Sequence, residues 1–268
     1  MNAKRGYVPE DERNFSPEAL AGLRTASRQV LFLINEGYDL KQATTFVGNH
    51  YLLSERQRLA IMRSVATEKQ LAARAAKEVP LEVWAARATA TAARAAEEVP
   101  LGTAAQSALA GQEVWIDGFN IIITLEVLLS GSFLFAGMDG AIRDLAALRG
   151  TYRIIPETAE AVRILFNMLG EAGVRKVSIL LDEPVSNSGR LKALLAESAA
   201  DFSFALDIQI CRDVDRKLYG KENVLTSDAI ILDHCASWVN LTAEYLRRQG
   251  REALRVWEQL PFTVRDNR

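Results

Sequence analysis

The first quarter of the chain shows apolar residues at helical spacing. Ser16 and Pro17 form a typical helix start, with serine as the N-cap and proline at the first helical position. Apolar residues then recur every three or four positions. A second helix is predicted over 39–48. A third, opened by a capping box of Ser54 with Gln57, is predicted to run to residue 77. The pattern therefore indicates a helical N-terminal domain, preceded by a polar, extended arm over 1–14.

From residue 113 the pattern changes, because short apolar runs rich in β-branched residues begin to alternate with helical segments. Strands are predicted over 114–116, 177–182, 204–210, 224–228 and 238–241. Helices are predicted over 121–129, 139–148, 157–169, 189–200, 213–219 and 242–249. Apolar strands joined by helical crossovers are typical of a parallel sheet covered on both faces.

An internal duplication separates these two regions. Residues 74–81 and 94–101 both read Arg-Ala-Ala-Lys/Glu-Glu-Val-Pro-Leu, and each copy is an Ala-rich helix that stops before proline. Two copies are too few for a solenoid. The sequence thus predicts three parts: a helical domain over 1–78, a duplicated helical connector over 79–111 and an α/β domain over 112–268.

Composition narrows the function classes. With 49% hydrophobic and 25% charged residues among 268, and a formal net charge of -2, the chain carries no overall field that would indicate a nucleic-acid or membrane partner. The most apolar tract, 121–138, is interrupted by polar residues and is too short to span a membrane. Two cysteines without a pairing framework and a polar N-terminus favour a cytoplasmic location.

Three predicted strands end in an aspartate: Asp117, Asp182 and Asp228. Parallel strands share one direction, so these carboxyls are expected at one edge of the sheet, where α/β proteins bind ligands. Asp215, or its competitor Asp213, would add a fourth acid from a helix start. An aspartate at a strand end is also a common helix N-cap. Jointly, however, the acids favour an oxygen-ligand site for Mg²⁺ or Mn²⁺, because crowded carboxylates are costly without a cation.

The sequence Ile-Asp-Gly-Phe-Asn at 116–120, Leu-Leu-Asp at 180–182 and Leu-Thr-Ser-Asp at 225–228 resembles the PIN-like superfamily, especially its NYN branch. That resemblance covers residues 112–268 and implies a Rossmann-like, three-layer domain with a metal-dependent ribonuclease activity. It implies that Asp117, Asp182, Asp215 and Asp228 are the catalytic metal ligands. Asn120 would assist the first of them, and Thr226 and Ser227 would position the last. The Glu-Pro-Val-Ser-Asn-Ser-Gly segment after Asp182 departs from the PIN or NYN pattern.

Two further groups of polar residues are candidates for binding substrate. Asn187, Ser188 and Arg190 form a polar loop and helix start near the second acid, which suits a rim that faces phosphate. The predicted third helix displays a basic ridge of Arg56, Arg58, Arg63, Lys69, Arg74 and Lys77. A nucleic-acid backbone would fit such a ridge, and a solvated helix face is the alternative.

The two-domain arrangement is similar to that of a prokaryotic family of unknown function. The leading hypothesis is a ribonuclease that uses Mg²⁺ or Mn²⁺ and takes RNA as its partner. The alternatives are a catalytically inactive PIN-like module that binds RNA or protein, and a phosphoesterase for small nucleotides. No Gly-x-x-x-x-Gly-Lys-Ser/Thr, Gly-x-Gly-x-x-Gly or Gly-x-Ser-x-Gly motif occurs to support nucleotide-triphosphatase, dinucleotide-binding or serine-hydrolase readings. A homo-oligomer is compatible with the sequence.

Overall fold

The computed structural model describes residues 4–79, 107–148 and 150–258. Of the predicted connector over 79–111, residues 80–106 lie outside the described residues. The described chain combines an N-terminal helical region with a mixed α/β region built on a parallel sheet.

The N-terminal helices begin where the local sequence predicts. Ser16 accepts a hydrogen bond from the Ala19 N–H, Asp39 accepts one from the Gln42 N–H, and Ser54 forms the expected capping box. Each cap satisfies an otherwise orphan donor of the first helical turn. The helices are α1 (Asp11–Asn14), α2 (Pro17–Asn35), α3 (Leu40–His50), α4 (Glu55–Ser64) and α5 (Glu68–Ala75).

Two predictions for this region are wrong. The third helix does not continue to residue 77: Val65 is extended, and a second capping box of Thr67 with Gln70 opens α5. Residues 4–14 are also not an extended arm, because α1 forms there and the buried Arg5 pairs with the buried Glu126 at 2.8 Å. Charged residues of the N-terminal segment therefore serve as internal anchors.

The α/β region is organised around parallel strands. In the described chain these are β1 (Glu113–Asp117), β4 (Lys176–Asp182), β5 (Ala205–Cys211) and β6 (Val224–Leu225), in the spatial order β5-β4-β1-β6. The short strands β2 (Phe135–Ala136) and β3 (Ile142–Arg143) form a separate antiparallel pair. The helices that follow β1 are α6 (Gly118–Leu129), α7 (Pro156–Glu171), α8 (Ser188–Ser198), α9 (Val214–Leu218), α10 (Ala229–His234) and α11 (Leu241–Arg248).

Helices cover both faces of the sheet, as its apolar strands require. Alternate positions of β4 belong to two different cores: Val177, Ile179 and Leu181 pack with α6, α7 and α8, whereas Leu180 packs with α9 and α10. In β1, Val114 and Ile116 lie on the first side and Trp115 on the second. Side chains alternate along a strand, so Asp117 lies on the same side as Trp115, and Asp182 on the same side as Leu180. Both aspartates therefore lie toward α9 and α10.

Three predictions for the α/β region are wrong in type or length. The helix expected over 139–148 is replaced by strand β3 and irregular chain. The strand expected over 224–228 ends at Leu225, and the fifth strand expected over 238–241 reduces to isolated bridges of Trp238. These segments are held by contacts with distant parts of the chain, which local patterns do not record.

The two regions share a buried cluster near β2 and the chain that follows β3. Phe135 and Leu145 from the α/β region belong to the same buried cluster as Leu23, Val47 and Ile61 of the helices. No helix in the described parts of the chain is long and apolar enough to cross a lipid bilayer.

Candidate active site

The candidate site lies at the carboxyl end of β1, where the strand order reverses. The chain proceeds from β1 to β4 and β5 on one side, then returns to place β6 on the other side of β1. In open α/β sheets such a reversal leaves a crevice at the carboxyl ends of the two adjacent strands, and ligands bind there. Asp117 ends β1, and Thr226, Ser227 and Asp228 follow β6 directly.

Gly118 allows α6 to begin immediately after Asp117. A Cβ at this position would lie 2.6 Å from Leu181 Cδ2 and 2.9 Å from the backbone oxygen of Leu180. Only glycine therefore lets the helix start this close to β4. The close approach keeps Asp117 at the sheet edge with only 7% of its surface exposed.

Hydrogen bonds join the end of β1 to the loop after β6. Thr226 Oγ1 donates to Asp117 Oδ2 at 2.9 Å and accepts from the Asp228 backbone N–H at 3.0 Å. Asn120 Oδ1 accepts from both the backbone N–H and the hydroxyl of Ser227, at 2.8 and 3.0 Å. Residues predicted from separate motifs, Asp117, Asn120, Thr226, Ser227 and Asp228, therefore form one connected group.

Asp228 also acts as a helix N-cap. Its Oδ1 accepts from the N–H groups of Ile230 and Ile231 at 2.8 and 3.3 Å, which satisfies the first turn of α10. Asp117 precedes α6 without making a side-chain cap hydrogen bond. The capping interpretation thus accounts for one oxygen of Asp228 and does not account for the buried carboxyl of Asp117.

Asp182 and Asp215 line a cleft beside this group. The cleft has a volume of about 800 Å³, and its other lining residues come from the loops after β4 and β5 and from α9 and α10. Asp213, the competitor of Asp215, lies at the N-cap of α9 with a positive φ of 55°. Both acids line the cleft, and Asp215 is among the acids whose negative charge acts on Asp117.

The electrostatics of the acids follow from burial and like charge. Burial first, and then the charge of Asp228, raises the pKa of Asp117 from 3.8 to about 8; Asp182 and Asp215 act in the same direction, and the Thr226 hydrogen bond opposes them. Burial and the charge of Asp215 raise the pKa of Asp182. Burial, Asp228 and Asp213 raise the pKa of Asp215. Mutual repulsion of this kind marks candidate functional sites.

The acids converge without forming a closed ligand set. Among the described residues, no group of three or more His, Cys, Asp or Glu side chains is arranged to hold one metal ion. The strand register supplies a reason: Asp117 is paired with Leu180, so Asp182 lies two residues further along its strand, which is about 7 Å at the usual rise of a strand.

A buried ionic network supports the loop that carries Asp228, and sequence reasoning did not identify it. Arg143 Nε donates to the Ser227 carbonyl oxygen at 2.7 Å, and the same guanidinium pairs with Asp139. Arg74 of α5 also pairs with Asp139, at 2.6 Å, and with Asp233 at 2.7 Å. The helical region is therefore connected to the candidate site through two arginines and two aspartates. The only sequence signal is the spacing of four residues between Asp139 and Arg143.

The predicted phosphate-facing residues lie outside the cleft lining. Asn187 has a positive φ of 63° at the start of α8, and its amide donates to the Tyr152 carbonyl oxygen at 2.7 Å. Ser188 is partly buried and Arg190 is exposed. Their predicted role with substrate stays a prediction.

The basic ridge is largely engaged in internal contacts. Arg56 binds Asp11 and the carbonyl oxygens of Gly6 and Leu145. Arg58 donates to oxygens of Leu53, Thr45 and Asn49. Arg63 donates to the Asp144 carbonyl oxygen, and Lys77 to those of Leu232 and Asp233. Most of the ridge thus stabilises the helical region and its junction with the sheet, and the structure does not bring Arg56, Arg58 or Arg63 to the acids.

Comparison with known proteins places two family models on the chain. Residues 106–244 match the model described as a domain of unknown function (DUF5616), and residues 22–77 match that described as a protein of unknown function (DUF434). The chain is similar to the uncharacterized protein MJ0935 of Methanocaldococcus jannaschii, with 29% identity over 232 residues that cover 85% of this chain and 99% of that protein. No solved structure matches the chain. These matches confirm a two-part architecture, and neither family description names a PIN-like nuclease.

Proposed function

We propose that the α/β region of this chain is a PIN-like domain that hydrolyses RNA phosphodiester bonds with a divalent metal. The chain belongs to the family described as a domain of unknown function (DUF5616). The observation that carries the proposal is the buried Asp117, whose pKa is raised to about 8 in the company of three further acids. Burial and like charge oppose the ionised form of such a group, so the group lowers the stability of the folded protein at neutral pH. A role in binding a cation would account for its position.

The chemistry of the donor set fits Mg²⁺ or Mn²⁺. The available ligands are carboxylate, hydroxyl and amide oxygens from Asp117, Asp228, Thr226 and Asn120. Mg²⁺ usually keeps several waters and takes only one or two protein carboxylates. A spread group of acids is therefore compatible with a hydrated ion, whereas a closed protein cage is not required. When bound, such an ion activates water and stabilises charge on a phosphodiester.

The residues of the chain have separable roles in this proposal. Asp117 and Asp228 would hold the ion, with Thr226 keeping their orientation through its two hydrogen bonds. Asn120 and Ser227 hold the β6 loop against α6. Asp182 and Asp215, which line the cleft, would orient water at the substrate. Arg143 holds the loop from behind through the Ser227 carbonyl oxygen.

The test is cleavage of a labelled single-stranded RNA with Mn²⁺ by the full-length protein. Wild type is expected to cut the RNA, and Asp117→Asn, which preserves shape and removes the charge, is expected to leave it intact. The exposed Asp201 provides the matched control, since Asp201→Asn should cut like wild type. The proposal would be contradicted if wild type cut neither structured nor unstructured RNA.

A specific observation favours a second candidate, a PIN-like module that binds RNA or protein without catalysis. The described acids form no group arranged to hold one ion, as expected if the fold had lost its chemistry. Titration with Mn²⁺ separates the candidates, because a ligand that binds only the folded state raises the unfolding temperature. A rise for wild type that is absent for Asp117→Asn supports the metal enzyme, and no rise for either supports the binding module.

A further inference from the structure

The cleft lining also contains residues of different chemistry. Four acids, Asp182, Glu183, Asp213 and Asp215, line the cavity, and so do Tyr219, Ile230 and Arg216, which we call its second wall. Ile230 is 52% exposed even though it is a large apolar residue. An aromatic ring, an apolar side chain and a guanidinium therefore border the same space of about 800 Å³ as the acids.

The ring of Tyr219 is held in place before any ligand binds. It stacks on His234, with ring centroids 4.3 Å apart and an interplanar angle of 15°. His234 is itself held by a contact of 2.8 Å between its Nδ1 and the Ile230 carbonyl oxygen, and the Gly220 N–H donates to the His234 carbonyl oxygen at 2.9 Å. A ring with few remaining degrees of freedom loses little entropy when a planar ligand stacks on it.

The cations at this wall differ in availability. Arg212 pairs with Glu183 at the cleft, so its charge is partly neutralised. Arg216 is exposed and has no ion pair with another described residue. An exposed guanidinium beside an aromatic ring is the combination with which proteins bind a phosphate and the base next to it.

We infer that Tyr219 and Ile230 receive one unpaired nucleobase of the RNA and that Arg216 binds the adjoining phosphate. This inference rests on the proposed function and adds the residues that would hold one base and its phosphate. A base inside a duplex has both faces covered by its neighbours and offers none to Tyr219. Stacking on a ring also tolerates every base, so this wall selects strandedness rather than sequence.

The test is a double-mutant cycle that combines loss of the Tyr219 ring with loss of one base of the RNA. Anisotropy of a short fluorescein-labelled oligoribonucleotide is measured in Ca²⁺, an oxygen-binding cation, with the RNA checked for integrity on a gel. Tyr219→Ala is expected to weaken binding about tenfold, whereas Tyr219→Phe, which keeps the ring and its stack on His234, binds like wild type. Tyr38→Ala is the matched control, because Tyr38 is 60% exposed in the turn between α2 and α3.

The same measurement with single abasic sites and with a duplex separates stacking from general charge. For wild type, removing the base at one position of the RNA is expected to weaken binding about as much as Tyr219→Ala does. Removing the same base should not weaken binding to the Tyr219→Ala variant any further. The duplex should bind weakly and equally to both proteins. Equal binding of the single strand by wild type and Tyr219→Ala overturns the inference. The inference is also overturned if Tyr219→Ala weakens binding by the same factor whichever single position of the RNA is abasic. RNA that binds through Tyr219 and is not cut with Mn²⁺ overturns the proposed hydrolysis and leaves the inference standing.

Discussion

Replacing Asp117 with asparagine is expected to flatten the pH dependence of stability of the metal-free protein. Burial and neighbouring acids raise the pKa of Asp117 from 3.8 to about 8 in the folded state. Between these two values the folded protein keeps a proton that the unfolded chain has released. The stability contributed by this group is therefore fully present below about pH 4 and is lost as the pH rises through about 8.

The size of the effect follows from the shift. The two values differ by about 4 pKa units, and each unit corresponds to about 1.36 kcal/mol, so complete ionisation of Asp117 in the folded protein costs about 6 kcal/mol. Local relaxation and entry of water reduce such costs in proteins. We expect wild type to lose about 3 to 6 kcal/mol of unfolding free energy between about pH 4 and pH 9 that Asp117→Asn retains.

Urea unfolding followed by circular dichroism, at a series of pH values in EDTA, measures this difference. Wild type, Asp117→Asn and the exposed control Asp201→Asn are compared at each pH. The control should follow wild type. Asp182 and Asp215, whose pKa values are also raised, should leave a smaller residual slope of the same sign in Asp117→Asn.

Unfolding free energies of wild type and Asp117→Asn that run parallel across the whole pH range would refute the reasoning. They would mean that the Asp117 carboxyl is solvated or paired in solution. Mn²⁺ provides a check with the opposite sign, because a cation binds the ionised carboxylate and must displace the proton. Stabilisation of wild type by Mn²⁺ should therefore increase from pH 6 to about pH 9.

Three further substitutions test the packing around the site, each by urea unfolding at neutral pH. Thr226→Val removes the hydroxyl that bonds the buried carboxyl and should cost about 1–3 kcal/mol, with Thr226→Ser near wild type; equal stability of both variants would contradict this hydrogen bond. Gly118→Ala would place a methyl group 2.9 Å from a backbone oxygen and should cost about 1–3 kcal/mol, whereas Gly22→Ala, which meets nothing within 4 Å, should stabilise by up to about 1 kcal/mol; the reverse order would be inconsistent with the close approach. Arg74→Met withdraws one partner from Asp139, whose side chain is 1% exposed, and should cost about 3–5 kcal/mol; a loss near zero would show that the network carries little stability.

The helix starts of the N-terminal region were predictable because their signals are local. Each of Ser16, Asp39 and Ser54 bonds a backbone N–H three residues ahead, so the sequence contains both partners of the interaction. The break between α4 and α5 also has a local signal, a second capping box at Thr67, which the continuing helical pattern concealed. The segment 139–148 had no such signal: its residues are held by Arg74, by the Ser227 loop and by the helical core.

By itself, the sequence determined that Asp117 and Asp182 end strands of one parallel sheet and that the region before the sheet is helical. The reason is that apolar strand runs and helix caps depend on residues a few positions apart, and that helical crossovers between strands make the sheet parallel. Only the tertiary structure decided that β6 lies beside β1, which joins Asp117 to Thr226 across more than a hundred residues. It also decided that Asp215 acts on Asp117 and that the arginines of the basic ridge bind internal oxygens. Electrostatic coupling and hydrogen bonding depend on distance in space, and strand order sets that distance without leaving a local trace in the chain.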